Sequence, residues 1–254
     1  MIKEIIKAPI LILLGILLVV SISGMIASQT ASHTLEYNTI KPIFQETVRE
    51  ALNSQIASQM PFLKTDTIYE AMKLECLVKK NISFPTGIEQ VGNITLTCTE
   101  IKNASNFNNT LNLIVAKSFD KLYYTHAKKS FISAVSSNPY LLISDDARNY
   151  FSKTAFTLLL AVIIILIIQF FLHEKKPRFL ITTGITILFS YLPIYILTKF
   201  LTYIPIKYLN RFFTELQHQT RASLIPIIIW AVIFAVAGII WMIVHSKFIE
   251  KKKD

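Results

Sequence analysis

Four stretches of this chain, Ala8 to Ala27, Thr154 to Leu172, Phe179 to Thr198 and Leu224 to Val244, contain no Asp, Glu, Lys or Arg. Each is close to the ~20 apolar residues that cross ~30 Å of hydrocarbon at about 1.5 Å per residue. In hydrocarbon every backbone N–H and C=O must be satisfied within the segment, so such windows fold as helices and dictate the rest of the architecture. Composition agrees: 52% of the 254 residues are hydrophobic and only 6 are glycine, as suits a membrane protein carrying one modest polar module. The expected fold class is an α-helical integral membrane protein. It has four transmembrane helices and a mixed α+β extracytoplasmic domain inserted between helices 1 and 2.

The first window admits a second reading, because the basic start "MIKEIIK" followed by an apolar run also describes a secretory signal peptide. The run is longer than the ~7–15 residues of a signal core, and "SISGMIASQTASHT" offers no clean Ala-x-Ala site, Ser21-Ile-Ser23 being the nearest. An uncleaved anchor is the expected state, with cleavage the alternative.

Charge sets the expected orientation. "MIKEIIK", "HEKKPR" and "HSKFIEKKKD" alternate with the apolar windows and so share one face, carrying nine Lys/Arg in 23 residues. Lys175, Lys176, Arg178, Lys247, Lys251, Lys252 and Lys253 form its basic flank, which the positive-inside rule places in the cytoplasm. Lys199, Lys207, Arg211 and Arg221 on the opposite short loop weaken the asymmetry without reversing it. The expected organisation is 1–27 for the cytoplasmic N-terminus and helix 1, 28–153 for the outer domain and 154–172 for helix 2. A cytoplasmic link at 173–178, helix 3 at 179–198, an outer loop at 199–223, helix 4 at 224–244 and a basic tail at 245–254 complete it.

That orientation puts the only two cysteines, Cys76 and Cys98, in an oxidising compartment, where two thiols in one small module most economically form one disulfide. Two independent thiols are the alternative. The His residues show no ligand spacing to the cysteines, and no metal site or cofactor is expected. Four Asn-x-Ser/Thr triplets, at Asn81, Asn93, Asn103 and Asn108, cluster in the same segment and are candidate glycosylation sites.

Periodicity predicts an amphipathic helix through Ile40, Phe44, Val48, Leu52, Ile56 and Met60, capped by Asn38 or Thr39 ahead of Pro42. A second follows through Phe107, Leu111, Ile114, Val115, Phe119, Leu122 and Tyr123. "NITLTCTE" alternates like a half-buried strand, with Gly92 turning the chain before it and Gly87 earlier, and a short helix near Thr67 to Val78 would bring Cys76 onto it. Ser144 caps a helix expected to run unbroken from about 145 to 172, with Asp145 and Asp146 in its first turn, where the helix dipole favours negative charge.

No catalytic motif appears: there is no H-E-x-x-H, G-x-S-x-G or glycine-rich phosphate loop, and "SDD" at 144–146 reads as capping rather than as a carboxylate pair. Polar residues inside the windows include Gln169, Thr182, Thr183, Thr186 and Ser190, which are ordinary helix-packing residues. Pro193 and Pro226 are candidate kinks, and Ala231 and Ala235, in small-xxx-small spacing, are expected to mark a helix contact. The "KKKD" end resembles a dilysine retrieval signal, could attract anionic lipid, or simply flanks the last span.

The order of segments is similar to that of ABC permeases with one large ectodomain and of claudin-like junction proteins. The cytoplasmic segments leave little to couple an ATPase, and the Trp/Cys signature of claudins is missing. The net charge of +10 divides between lipid flanks and the outer module, so nucleic acid is not an expected partner. The expected role is a non-enzymatic membrane-anchored module that binds a protein or envelope partner through 28–153, in contact with the lipid bilayer. The alternative is a small permease-type or pore-forming component acting as a homo-oligomer or with a partner ATPase.

Overall fold

The computed structural model describes residues 2–59, 65–85, 92–126, 132, 135–136, 139–203 and 210–250. In chain order the elements are α1 (Ile2–Thr34), α2 (Tyr37–Gln59), α3 (Thr65–Glu75), β1 (Asn81–Pro85), β2 (Asn93–Thr97), α4 (Cys98–Asn103) and α5 (Phe107–Tyr123). A 3₁₀ turn (Pro139–Ile143) then leads into α6 (Asp145–Leu172), α7 (Lys176–Ser190), α8 (Leu192–Thr202), α9 (Asn210–Ala222) and α10 (Leu224–Glu250). The chain divides into two units: Met1–His33, Phe151–Pro205 and Phe213–Asp254 form one, Thr34–Tyr150 and Ile206–Phe212 the other.

Four helical segments, Ala8–Thr34, Asp145–Leu172, Lys176–Thr202 and Asn210–Val244, are long and apolar enough to cross a membrane. Each exceeds the charge-free window inside it, because a formed helix propagates into polar sequence at little cost once nucleated. Within the first unit, Leu18, Ile22 and Ile26 of α1, Val162 of α6, Ile187, Tyr191, and Ile227 and Ala231 of α10 form one buried cluster. The outward faces are just as apolar: Phe156, Phe171, Phe200, Trp230 and Ile240 are all exposed. In water such a surface would aggregate, whereas lipid solvates it at no cost. The chain is therefore a membrane-embedded helical protein.

Small residues set the tightest approach. A Cβ on Gly184 of α7 would stand 2.6 Å from the Ala231 carbonyl oxygen, and one on Gly238 of α10 would stand 2.8 Å from that of Pro177. Ala235 also lies against Gly184, so the expected contact at Ala231 and Ala235 forms, and its partner on α7 is a glycine. The third span is two helices rather than one. Pro193 lies in the first turn of α8, where its missing N–H costs nothing, and the chain breaks at Tyr191. At the break the Ser190 carbonyl accepts a hydrogen bond from Ser23 Oγ of α1 at 2.7 Å. Pro226 sits in the first turn of α10, again at a helix start. Of the polar stretch on α7, Thr183 and Ser190 are buried, Thr186 is half-buried and Thr182 is exposed.

The second unit packs α2 against α5. Ile40 is buried, and Phe44 and Val48 pack against a core of Tyr69, Ile82, Leu96, Ile101, Phe107, Leu111 and Val115. Asp120 of α5 accepts from Tyr37 Oη at 2.7 Å and Lys41 Nζ at 2.9 Å, and Tyr123 Oη donates to the Leu35 carbonyl at 3.0 Å. Asp120 raises the Lys41 pKa. Arg211 forms an ion pair with Glu46.

Several expectations change here. The mixed α+β domain is, among the described residues, a helical unit with one antiparallel pair, β1 against β2, Ile82 opposite Leu96 and Phe84 opposite Ile94. The strand read through "NITLTCTE" stops at Thr97 because Thr97 and Glu100 form a reciprocal capping box that starts α4 at Cys98. Gly92 enters β2 at a φ of 61°, the left-handed conformation that the expected turn requires. Asn38 and Thr39 lie inside α2 and do not cap it; the Glu36 carbonyl accepts the first bonds, from Thr39 and Ile40. The loop expected over 199–223 is largely helical, α8 running to Thr202 and α9 occupying Asn210–Ala222. Met60, Gly87, Lys207 and Lys251 to Lys253 fall outside the described residues.

Candidate interaction site on the disulfide-linked module

Helix α3 has Asp66 in its first turn and Lys73 in its last, each at the end its charge favours. One face is buried: Tyr69 packs into the core and donates to the Ile101 carbonyl at 3.0 Å, with Ile68, Met72 and Cys76 beside it. The chain then turns through hydrogen bonds from Leu77 to the Leu74 carbonyl and from Val78 and Lys79 to that of Glu75. Cys76 and Cys98 form the expected disulfide, their Cα atoms 5.4 Å apart, and the Cys98 N–H donates to the Lys80 carbonyl at 3.0 Å. Residues 77–80 are thus held at both ends.

What that turn displays is unusual for a polar module. Leu74, Leu77 and Val78 are 65%, 75% and 89% exposed, three large apolar side chains within five residues on a hydrogen-bonded turn. Lysines rim them: Lys73 pairs with Glu70 and Lys79 with Glu75, each at 2.6 Å, while Lys80 has no acidic partner among the described residues. Covering the three apolar side chains would contribute roughly 1.5–3 kcal/mol each.

The sequence-derived sites do not converge on it. Asn81 and Asn93 lie at opposite ends of the hairpin, with Asn103 and Asn108 on either side of the α4–α5 turn, and all four are exposed. Glu100 closes the capping box and meets Lys117 at 2.8 Å. Lys117 and the Thr97 N–H hold its carboxyl below the usual carboxylate range. The acidic pair at the start of α6 is structural: Ala147 N–H donates to Ser144 Oγ at 3.3 Å, Asp145 accepts from Asn149, and Asp146 meets exposed His126 at 3.0 Å, raising its pKa. Lys175, Lys176 and Arg178 stand at the α6–α7 turn, and Lys247 lies in the last turns of α10. Among the described residues, no three His, Cys, Asp or Glu side chains come together as a metal site would need.

Fold and site together define a class: a helical membrane protein with four spans and a disulfide-linked helical module displaying an apolar patch. Comparison with protein-family models, with curated proteins and with solved structures returns no match.

Proposed function

We propose that this protein is a non-enzymatic membrane-anchored binding module that faces the outside through 28–153 and recognises a protein or envelope partner. The observation that carries the reading is the ordered, solvent-facing Leu74, Leu77 and Val78 beside the Cys76–Cys98 bridge. The apolar windows of the bundle hold no Asp, Glu, Lys, Arg or His, and coupled pathways generally use such groups. The basic flank supports cytoplasmic termini at a cell membrane, and four exposed Asn-x-Ser/Thr asparagines suit an outer surface that a eukaryotic host would glycosylate.

Orientation is tested by reporters. A fusion after Asp254 should report cytoplasm and an insertion at Asn103 the opposite side; protease access from outside to a C-terminal tag would reverse the assignment. Function is tested by complementation in the native host at matched membrane levels. Leu77→Glu with Val78→Glu, both exposed and thus tolerated by the fold, should abolish activity, whereas Thr183→Val with Ser190→Ala in α7 should leave most of it. The opposite pattern would place function in the bundle and favour the permease-type alternative.

A further inference from the structure

At the α6–α7 turn the bundle carries a cleft of about 510 Å³ whose walls differ in chemistry. Leu11 of α1 and Leu172 of α6 supply an apolar wall, and His173, Lys175, Arg178 and Thr182 a polar one. Lys175 and Arg178 are exposed, and neither has an acidic partner among the described residues. Glu174, the one carboxylate of the lining among the described residues, has a partner of its own.

The turn is built rather than loose. Phe179 is buried at 3% exposure, its ring 5.8 Å from Phe170 and 5.3 Å from His173. Lys176 folds back over the Phe170 ring and donates to the Phe170 carbonyl, so the third cation of the turn caps α6. Gly238 of α10 lies against Pro177 and fixes the first turn of α7. That first turn has no side-chain cap; Pro177 carries no N–H and the Phe179 N–H donates to the Lys175 carbonyl at 3.2 Å, so the backbone offers an anion the N–H groups of Lys176 and Arg178.

We propose that this cleft binds a phosphate monoanion, supplied by the headgroup of an anionic phospholipid. Lys175 and Arg178 would hold the phosphate at the uncapped start of α7, Arg178 offering the forked donor geometry that phosphate matches. Thr182, the exposed hydroxyl of the polar stretch on α7, would reach the headgroup ester oxygens, and Leu11 and Leu172 would line an acyl chain. The apolar wall is what favours lipid over free phosphate. The site belongs to the bundle and is independent of the partner-binding reading above.

The test is native mass spectrometry of the full chain in detergent, titrated with dioleoylphosphatidylglycerol, with dioleoylphosphatidylcholine and with inorganic phosphate. Phosphatidylglycerol should be retained over phosphatidylcholine. Lys175→Gln with Arg178→Gln should weaken that retention on the order of thirtyfold, since each basic residue near an anionic headgroup is worth about fivefold. Lys175→Arg, which keeps both charges and the Arg178 fork, should keep most of it, and Thr182→Trp, which fills the cleft without changing charge, should displace the lipid. Removing the same charge from the tail, Lys251→Gln with Lys252→Gln, should change nothing. Equal losses from the tail variant would show diffuse attraction and overturn the site, as would no loss from the turn variant. Displacement of the lipid by millimolar phosphate, or phosphate binding without lipid retention, would overturn the lipid assignment.

Discussion

Cys98→Ser should unfold the turn that carries the module's apolar patch while leaving the bundle inserted. The bridge closes a loop of sequence separation 22, worth roughly 3 kcal/mol on the chain-entropy account and about 2–5 kcal/mol for small extracytoplasmic modules generally. The loss is local in its consequences. The bond ties the end of α3 to the start of α4, so without it the turn bearing Leu77 and Val78 keeps its own backbone bonds to α3 but is joined to α4 through the Lys80–Cys98 backbone bond and the short hairpin. Limited proteolysis of the full chain in detergent should cut the variant within 76–98 at protease levels the parent resists. Peptide mapping of the parent should find Cys76 linked to Cys98 within one chain. Identical digestion of parent and variant, or both thiols alkylated without reduction, would contradict the account.

Gly184→Val should separate α7 from α10. The obstacle to a new Cβ is the Ala231 backbone carbonyl at 2.6 Å, which cannot swing aside as the end of a side chain can, so the helices must move apart. Overpacking of this kind costs about 1–3 kcal/mol or more, and at about 2–4 °C per kcal/mol for chains near this length the variant in detergent should melt several degrees lower. Gly15→Val is the matched control, since a Cβ there meets nothing within 4 Å. Equal melting of the two variants would mean that the close approach at Gly184 does not hold the bundle.

How much of this was legible in the sequence depended on whether a signal was local. The helix at Phe107–Tyr123 could be read because its apolar period is unbroken, and α6 could be read because Ser144, Asp145 and Asp146 mark its start and hydrophobicity its course. The capping box at Thr97 and Glu100 was equally local but lay under a strand-like alternation, and the alternation won the reading. The break at Tyr191 was nearly silent, since an apolar window looks the same whether one helix or two fills it, and only Pro193 hinted at it. Beyond the two cysteines, whose count alone implied their bridge, long-range features left little signal in the sequence. Ala231 and Ala235 advertised a contact but not that Gly184 would meet them, and periodicity could not say that Leu74, Leu77 and Val78 would lie on the outside of α3 and its turn. The 199–223 segment reads as a loop because its charges interrupt the apolar windows, although a polar helix carries charges as readily.

The central claim is that the disulfide-linked module, and not the bundle, makes the contact that matters. The most direct measurement is a photo-crosslinking residue placed at Leu77 in the full-length protein, in living cells of the native host. The account predicts one discrete protein or envelope adduct at Leu77, lost on addition of Val78→Glu and absent when the same residue is placed at exposed Asn112. Finding no adduct at Leu77, or the same adducts at Asn112 as at Leu77, would contradict it.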